Sequence, residues 1–498
     1  MAQRVYLGID LGAESGRVIA GLWNGKFLRL KEIHRFPNGP VPLAGTLRWD
    51  VLRLLTEIQN GLALAGKKYR RNVVSIGADT WGVDFALLSK NGELLDQPYH
   101  YRDTRTNGMM GKAFRKVPRS EIFAQTGLQF MQLNTLYQLL ALKEARPDVL
   151  EAADCLLMMS DFIHWSLCGS RTVEFTIGST SQCMNPATRN WASGLLKKLG
   201  LPMRVFPKIV MPGTKLGALR ASIADQAGLG KVRVVAPPSH DTASAVAGVP
   251  TYRTGVANWA YISSGTWSIM GVEVPKASLS TRTLELGLTN EGGIDGTYRL
   301  SRNIVGLWLV QQCKRAFEAH GKKRTYAELA HLAAKASALR SLVDPDDPRF
   351  FNPPDMPKAI QDFCRETKQL IPKTEGELVR CAYESLALKY REMLDGLEEL
   401  TGNRIEVIHI VGGGSQSKIL NQFTANACER PVIAGPVEAT AMGNLLVQVR
   451  ASGELGSLAE MREVVHRSTQ PTRYEPTDSS AWRAAAQRLD SWRKVGQP

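Results

Sequence analysis

Two strand–turn–strand patterns constrain the fold of this chain more than any other feature of its sequence. The first lies at residues 5–23, where two apolar stretches flank a turn at residues 12–16 that holds two glycines and a serine. The second lies at residues 259–272, where the turn is centred on Gly265. Apolar stretches joined by a short polar turn with glycine predict β-hairpins. Two hairpins of one pattern, one in each half of the chain, favour two domains built on the same plan.

The length of the chain agrees with two domains, because 498 residues exceed what one hydrophobic core supports. The apolar fraction of 44% and the charged fraction of 22% are ordinary for a soluble globular protein. No window holds the roughly 18 consecutive apolar residues that a membrane span needs, and the sequence enters its first strand without a signal peptide. We therefore expect a cytoplasmic protein.

A net charge of +15 raises the question of a nucleic-acid partner. The basic residues are scattered, however, and the densest clusters, at residues 66–71 and 321–324, lie at predicted helix ends or loops. Cations at helix C-termini complement the helix dipole, and a positive field also attracts a small anionic substrate. We expect neither a nucleic-acid partner nor a membrane partner.

The seven cysteines are an odd number without any Cys-x-x-Cys spacing, which argues against a disulfide framework and against a structural zinc site. Cys364 and Cys381 could meet across a turn. In a reducing cytosol we expect free thiols.

The turn of the first hairpin predicts a phosphate contact. Gly12 and Gly16 let the backbone approach a ligand closely, and the N–H groups of such a turn can hold phosphate oxygens. Asp10, at the end of the first strand, can reach a metal ion or its waters; forming the turn is its alternative role. No Gly-Lys-Ser/Thr follows, so this is not a Walker loop.

A second nucleotide-type signal lies at residues 405–427, which read as a strand, the loop Gly412-Gly413-Gly414-Ser415 and a helix. Glycines before a helix N-terminus let the backbone lie against a phosphorylated ligand, although a simple tight turn is an alternative explanation. The small-residue helix that starts within residues 435–443 is expected to pack on this loop. Residues 304–319 are predicted to be helical, with Asn303 at the start and Gln311 inside.

Asp241 is the candidate catalytic base. It follows an apolar run at residues 232–236 that reads as a buried strand, after which Pro237 and Pro238 are expected to end sheet pairing. The residues Ser239-His240-Asp241-Thr242 then begin an alanine-rich helix. A carboxylate beside an anion-attracting helix end suits phosphoryl transfer, and a helix N-cap is the alternative role for Asp241.

Polar and aromatic residues between two short strands, at residues 73–78 and 85–88, predict a sugar pocket. Trp81 and Asp84, with Arg102 further on, suit the stacking and hydrogen bonding of a polyol. Packing in the core is the alternative role for Trp81, and a structural histidine is the alternative for His240.

Together these features fit ATP-dependent phosphoryl transfer, which depends on positioning and charge neutralisation. Such an enzyme must keep water from the reaction, so closure of the domains is expected. The chain has no Gly-x-Ser-x-Gly elbow, no His-Glu-x-x-His and no protein-kinase His-Arg-Asp set. A different functional class stays open: an actin-like or chaperone-like ATPase, which uses ATP for movement rather than to modify a substrate.

The chain resembles the FGGY carbohydrate kinases, within the actin, Hsp70 and sugar kinase superfamily, over nearly its whole length. The stretches that carry the resemblance are 10–17, 79–85, 101–108, 239–246, 263–268, 303–308, 409–414 and 434–439. Two of them, 101–108 and 240–246, are similar to the members of the family that act on L-rhamnulose.

The resemblance implies an α/β fold of two ribonuclease H-like domains, with an active-site cleft between them. Residues 1–247 would bind the sugar and carry the base, and residues 248–498 would bind ATP. The implied reaction transfers the γ-phosphate of ATP to the 1-hydroxyl of L-rhamnulose, with Mg²⁺, in L-rhamnose catabolism. Another ketose, such as L-fuculose or a pentulose, is the alternative substrate, and a monomer or small homo-oligomer is expected.

Carried over by motif, Asp241 would accept the proton, with Gly82, His240, Asp241 and Thr242 on the sugar. Trp81, Asp84 and Arg102 are further sugar-side candidates on chemical grounds, and Asp10 would face the metal through water. The residues that would hold ATP are Ala13, Glu14, Ser15, Gly16, Arg17, Thr266, Asn303, Gln311 and Gly413. Glu14 departs from the family, which tends to have a small residue there; we expect this carboxylate to point out of the cleft, because it is unfavourable beside phosphate.

Overall fold

The computed structural model describes residues 4–495, with side chains described as far as Leu489. The chain divides into two compact units. Unit 1 comprises Met1–Gly255, Glu273–Leu300 and Ala439–Thr469, and unit 2 comprises Val256–Val272, Ser301–Glu438 and Gln470–Pro498. Unit 1 therefore takes segments from both sides of residue 247, whereas unit 2 lies entirely after it. The assignment of sugar binding to residues 1–247 and of ATP binding to residues 248–498 stays a prediction.

Most strands of unit 1 precede residue 236. They are β1 (Arg4–Leu11), β2 (Ser15–Trp23), β3 (Leu28–Pro37), β4 (Pro40–Leu43), β5 (Thr46–Trp49), β6 (Val73–Thr80), β7 (Phe85–Leu88), β8 (Cys155–Met158), β9 (Thr172–Glu174), β10 (Met184–Asn185), β11 (Asn190–Trp191), β12 (Lys208–Val210), β13 (Lys215–Ala218) and β14 (Arg233–Val235). Six of them form one sheet in the order β13-β14-β6-β1-β2-β3. β1 and β2 form the predicted first hairpin, in register from Arg4 opposite Trp23 to Leu11 opposite Gly16.

The later strands are β15 (Trp259–Ser264), β16 (Trp267–Val274), β17 (Thr289–Gly292), β18 (Tyr298–Val305), β19 (Val407–Val411), β20 (Val432–Ala434) and β21 (Thr472–Tyr474). β15 and β16 form the predicted second hairpin. The first strand of each hairpin also pairs in parallel with a strand that follows later in the chain, β1 with β6 and β15 with β19. This shared arrangement is the common plan that the two sequence patterns predicted.

Helices cover these sheets. Before residue 290 they are α1 (Val51–Tyr69), α2 (Met109–Lys116), α3 (Arg119–Thr126), α4 (Thr135–Ala145), α5 (Pro147–Ala152), α6 (Met159–Cys168), α7 (Phe175–Gly178), α8 (Ser193–Lys198), α9 (Ala221–Ala227), α10 (Asp241–Ala247) and α11 (Thr281–Glu285). The later ones are α12 (Trp308–Ala319), α13 (Tyr326–Lys335), α14 (Met356–Glu366), α15 (Glu375–Thr401), α16 (Lys418–Cys428), α17 (Ala439–Ala451), α18 (Leu458–Ser468) and α19 (Ser480–Val495).

β1 is apolar along nearly its whole length because both of its faces are covered. Leu7 and Ile9 belong to the core cluster that contains α1 residues, whereas Tyr6 belongs to a cluster with Leu445 of α17. Successive side chains of a strand point to opposite faces, so a strand buried on both faces is apolar at every position. The central strand of unit 1 therefore depends on helices from opposite ends of the chain.

Two predictions about local structure are wrong. Residues 304–305 belong to β18 rather than to a helix, and α12 begins only at Trp308, so Asn303 lies in a strand. Gly306 separates the two elements at a point where an added Cβ would lie 2.7 Å from the Ser268 nitrogen. Pro237 and Pro238 do not end the pairing either, because Thr80 N–H donates to the Ser239 carbonyl at 2.9 Å.

The seven cysteines are free thiols, as expected. Cys364 and Cys381 do meet, and the interaction of their thiols lowers the pKa of Cys364 and raises that of Cys381. Across the described residues, no helix is both long enough and apolar enough to pass through a bilayer.

The small residues of α17 pack against α10, not on the glycine loop as predicted. An added Cβ at Gly443 would lie 1.8 Å from the carbonyl oxygen of Ser244, and one at Gly248 would lie 2.3 Å from that of Ala439. The two backbones approach so closely that neither position accepts a side chain without movement.

We predict that Gly443→Ala destabilises unit 1 by about 1–3 kcal/mol, because overpacking forces the two helices apart. The thermal unfolding midpoint should fall by several degrees. Gly230→Ala is the matched control, since no atom lies near the Cβ it would add. A midpoint that is equal for both variants would contradict the prediction.

Candidate active site

The turn of the first hairpin pairs a carboxylate with a guanidinium. Asp10 lies opposite Arg17 across β1 and β2, and its Oδ2 accepts hydrogen bonds from Arg17 Nε at 3.0 Å and from Nη2 at 2.8 Å. Both side chains are mostly buried, so salt screens this pair weakly. The turn is closed by Gly12 N–H, which donates to the Ser15 carbonyl at 2.9 Å. Glu14 is exposed on this turn.

Asp79 lies beside Asp10 on the neighbouring strand, where the two residues are in register. It is fully buried and accepts a hydrogen bond from Asn444 Nδ2. Burial raises the pKa of Asp79 well above its usual range, and the charges of Asp10 and Asp241 raise it further. The structure therefore brings three carboxylates into electrostatic contact. Within residues 4–489, no group of three or more side chains has the geometry to hold a metal ion directly.

The backbone that leads to Asp241 is held by buried side chains. Glu174 accepts a hydrogen bond from Ser239 N–H at 3.0 Å, and Thr176 Oγ1 accepts one from His240 N–H at 3.2 Å. The Ser239 carbonyl accepts from Thr80 on β6 at 2.9 Å. The turn is thus fixed to the central sheet on one side and to α7 on the other.

Asp241 is the first residue of α10, and His240 is the N-cap, without a capping hydrogen bond from its side chain. Asp241 is therefore not the N-cap. Its Oδ1 accepts from the N–H of Thr242 and from Thr242 Oγ1 at 3.0 Å, and it lies 3.3 Å from His240 Nε2. No described residue donates to Oδ2, and 35% of the side chain is exposed. One oxygen is held in place while the other is open, as a general base requires.

His240 is nearly buried and contacts a buried ion pair on its other side. Its Nδ1 lies 3.0 Å from Arg299 Nη2 and 3.2 Å from Glu291 Oε2. Arg299 and Glu291 pair at 2.8 Å, and Arg299 is fully buried. Burial would raise the pKa of Glu291, but the contact with Arg299 holds it at about 2. The ionised Glu291 therefore balances the charge of Arg299 at neutral pH.

Trp81 belongs to the core of unit 1, in agreement with its alternative role. Its ring lies 4.0 Å from the ring of Trp49. Asp84 Oδ2 accepts from Trp81 Nε1 at 3.0 Å, from Trp49 Nε1 at 2.6 Å and from Tyr101 N–H at 3.1 Å, while Oδ1 accepts from Gln138 at 2.8 Å. Asp84 has no exposed surface, so the structure favours a structural role for its carboxylate over contact with a sugar.

The loop between Trp81 and Asp84 is strained and tightly held. Val83 has a φ of +70°, which is rare for a β-branched residue and costs about 1–3 kcal/mol. Its N–H donates to Thr180 Oγ1 at 3.0 Å and its carbonyl accepts from Thr135 Oγ1. Gly82 lies against Thr180, where an added Cβ would be 3.0 Å from Oγ1. Arg102 is exposed and available to a ligand.

In unit 2, the glycine loop and the second hairpin meet at one edge of the sheet. β15 and β19 are parallel, so their carboxyl ends at Ser264 and Val411 lie side by side. An added Cβ at Gly414 would lie 2.0 Å from Ser264 Oγ, which requires glycine there. Gly413 is exposed, with no atom near the position of a Cβ.

Thr266 lies in the turn of the second hairpin, and its carbonyl accepts from Trp308 N–H at 3.2 Å. This bond ties the start of α12 to the hairpin. Asn303 on β18 and Gln311 on α12 are both partly exposed. Four residues that were predicted to hold ATP thus lie in unit 2: Thr266, Asn303, Gln311 and Gly413.

Sequence reasoning missed four residues of the base site: Asp79, Glu174, Glu291 and Arg299. Asp79 carried a usable signal, since it ends a strand beside the predicted sugar loop. The other three carried none, because each reaches the base through contacts between residues far apart in the chain.

We predict a pH-dependent contribution of Asp84 to stability. Burial raises the pKa of Asp84 from 3.8 to about 6, so the folded protein binds this proton more tightly than the unfolded chain. The contribution is complete below about pH 4 and is lost as the pH rises through 6. The free energy of unfolding of the wild type, relative to Asp84→Asn, should fall by about 3 kcal/mol over this range. Urea unfolding from pH 4 to pH 7.5 measures it, and a constant difference would contradict the prediction.

Comparisons with known proteins agree with this architecture. The N-terminal domain of the FGGY family of carbohydrate kinases matches residues 5–248, and its C-terminal domain matches residues 260–452. A rhamnulokinase from Bacteroides thetaiotaomicron is 44% identical, covering 96% of this chain and 97% of that protein. One from Pectobacterium atrosepticum is 42% identical, covering 96% and 95%.

Solved structures share the fold at low sequence identity. A xylulose kinase from Lactobacillus acidophilus has a TM-score of 0.83 at 16% identity, covering 99% of this chain and 98% of that one. The glycerol kinase of Plasmodium falciparum, solved with ADP, has a TM-score of 0.78 at 16% identity, covering 100% and 99%. The predicted two-domain α/β sugar kinase fold is confirmed. By these matches over most of its length, the chain belongs to the FGGY family of carbohydrate kinases.

Proposed function

We propose that this carbohydrate kinase transfers the γ-phosphate of ATP to the 1-hydroxyl of L-rhamnulose, giving L-rhamnulose 1-phosphate and ADP in L-rhamnose catabolism. The observation that carries the proposal is Asp241, whose Oδ1 is held by Thr242 and whose Oδ2 is open. The choice of sugar is supported by full-length relatives named rhamnulokinase at 38–44% identity.

In the proposed step, the oxygen of the sugar hydroxyl forms a bond to the γ-phosphorus. At the same time, Asp241 Oδ2 accepts the proton of that hydroxyl. The bond between that phosphorus and the bridging oxygen breaks, and ADP leaves with the electron pair. The transition state is stabilised mainly by position and charge rather than by covalent chemistry with the protein. The fixed backbone around Asp241 supplies the position.

The sugar is proposed to contact Gly82, His240, Thr242 and Arg102. It is also proposed to contact the small exposed part of Trp81. The backbone of Gly82 and the guanidinium of Arg102 are accessible. The bonds of Asp84 to Trp81 and to Tyr101 N–H keep this loop in one conformation before substrate arrives, which reduces the entropy lost on binding.

ATP is proposed to be held by the turn at residues 13–17, by Thr266, Asn303 and Gln311, and by Gly413. The support is that Gly413 is open and that the Thr266 turn belongs to the same edge of the unit 2 sheet.

Magnesium fits the carboxylates of unit 1. Mg²⁺ keeps several of its waters in proteins and needs only one or two carboxylates, so the lack of a larger ligand set is no obstacle. Asp10 would hold it through water, with Asp79 adjacent. The ion would neutralise phosphate charge. A cytoplasmic location, a monomer or small oligomer, and the absence of nucleic-acid and membrane partners complete the proposal.

We predict that Asp241→Asn lowers kcat by about 100-fold or more, because the amide cannot accept the proton, while ATP binding persists. An assay of ADP release with L-rhamnulose measures kcat, and calorimetric titration measures ATP affinity. Asp225→Asn, at an exposed position of α9, is the control and should keep normal activity. A near-normal rate for Asp241→Asn would refute the assignment of the base.

We also predict that kcat/KM is highest for L-rhamnulose among a panel that includes L-fuculose and pentuloses, and that ATP turnover without sugar is at background. A higher value for another ketose would change the substrate. Sugar-independent ATP hydrolysis would point instead to an ATPase of the motor class.

A further inference from the structure

We propose that the buried Arg299–Glu291 ion pair positions the base: it holds His240 as a neutral imidazole with its proton on Nε2, the nitrogen that lies 3.3 Å from Asp241 Oδ1. The role of Asp241 as base rests on the proposed function. The protonation state of His240 does not, since it follows from contacts within unit 1. Arg299 and Glu291 are therefore positioning residues that act through His240.

Arg299 determines which imidazole nitrogen carries the proton. A guanidinium has only donors and stays charged in proteins, so Arg299 Nη2, at 3.0 Å, donates to His240 Nδ1. A nitrogen that accepts a hydrogen bond carries no proton, and the neutral ring then has its proton on Nε2. Nε2 lies 3.3 Å from Asp241 Oδ1, so a proton on this nitrogen and the carboxylate attract each other electrostatically.

Glu291 offers a competing arrangement, in which Nδ1–H donates to Glu291 Oε2 at 3.2 Å. The position of Arg299 opposes it. Arg299 Nε donates to the Gly292 carbonyl at 3.0 Å, and Nη2 pairs with Glu291 at 2.8 Å. The guanidinium is thus fixed with Nη2 against Nδ1, and a proton on Nδ1 would face a donor.

Among the described charges around His240, that of Arg299 opposes a second proton on the ring, whereas the carboxylates favour one. Glu291 and Arg299 face it on one side and compensate each other, whereas Asp241 faces it on the other, with Asp79 close to Asp241. A second positive charge 3.0 Å from a fully buried guanidinium is unfavourable.

The consequence for Asp241 is a difference between its two oxygens. A protonated Nε2, 3.3 Å from Oδ1, adds an electrostatic attraction to the two hydrogen bonds that Thr242 donates there. If the lone pair of Nε2 faced Oδ1 instead, two acceptors would repel each other and the carboxylate would lose its orientation. The ion pair therefore keeps Oδ2, the oxygen that meets the substrate, in place.

The direct test is nitrogen NMR of the full-length protein labelled with ¹⁵N-histidine, with the His240 signals assigned by their loss in His240→Gln. We expect a protonated Nε2 and an unprotonated Nδ1 near pH 7.5 without substrate. A protonated Nδ1 would overturn the proposal, whatever the enzyme phosphorylates. Because this measurement needs no activity, it separates the proposal from the proposed function.

The second test is Arg299→Met. Without the donor, Nδ1–H should turn to Glu291, and the acid limb of the pH profile of kcat/KM should move up by about one pH unit, because the unpaired carboxylate favours the imidazolium. We expect kcat to fall about 10- to 100-fold with a smaller change in the KM for the sugar. In the double variant Arg299→Met and Glu291→Gln, the acid limb of the kcat/KM profile should return towards its wild-type position. An unchanged ¹⁵N spectrum and pH profile in Arg299→Met would overturn the proposal.

Arg462→Met is the matched control. Arg462 is also fully buried in unit 1 and pairs with buried Glu273 at 2.7 Å. Its loss should lower stability as much as that of Arg299, yet leave the state of His240 and the acid limb unchanged. If Arg462→Met shifts both as Arg299→Met does, the Arg299 pair is only structural and the proposal fails.

Discussion

The hydrogen bonds of the Glu174 carboxylate are the interaction on which the base site depends. This fully buried group accepts from Thr176 N–H and Oγ1, from Ile177 N–H, and from Ser239 N–H. It therefore caps α7 and fixes the turn before Asp241 at the same time. Burial raises its pKa to about 7, although these four donors lower it. A buried carboxylate lowers the stability of the fold unless it is fully hydrogen-bonded. Here one of the hydrogen bonds that Glu174 accepts also fixes the backbone that leads to Asp241.

The same principle governs the loop at residues 81–84. Asp84 is surrounded by donors, and Val83 keeps a strained backbone because Thr180 and Thr135 satisfy both of its backbone polar groups. Strain of this kind persists only where the surroundings over-determine the conformation. The loop at residues 81–84 and the turn before Asp241 are therefore both held by buried hydrogen bonds rather than by apolar packing alone.

Local patterns allowed the sequence to predict the hairpins and the helix that Asp241 begins, because each depends on neighbours in the chain. Only the end of the strand Tyr298–Val305, at residues 304–305, was predicted to be helical, since a short apolar run has no decisive period. Glu291 and Arg299 could not have been found, because their meaning lies in contact with His240, which precedes them by 51 and 59 residues. Asp84 was predicted to contact the sugar, but its complete burial favours a structural role.

The chain passes between its two units five times, after residues 255, 272, 300, 438 and 469. This limits how the protein can be divided or recombined. The N-terminal family segment ends at residue 248, yet Tyr6 and Ile19 of its central hairpin are covered by Leu445 and Leu446. A gene fragment that encodes this segment alone would leave an apolar sheet face open to water, a surface prone to association. The N-terminal segment thus needs α17 to cover its sheet, and a chimera between relatives would have to exchange α17 together with β1.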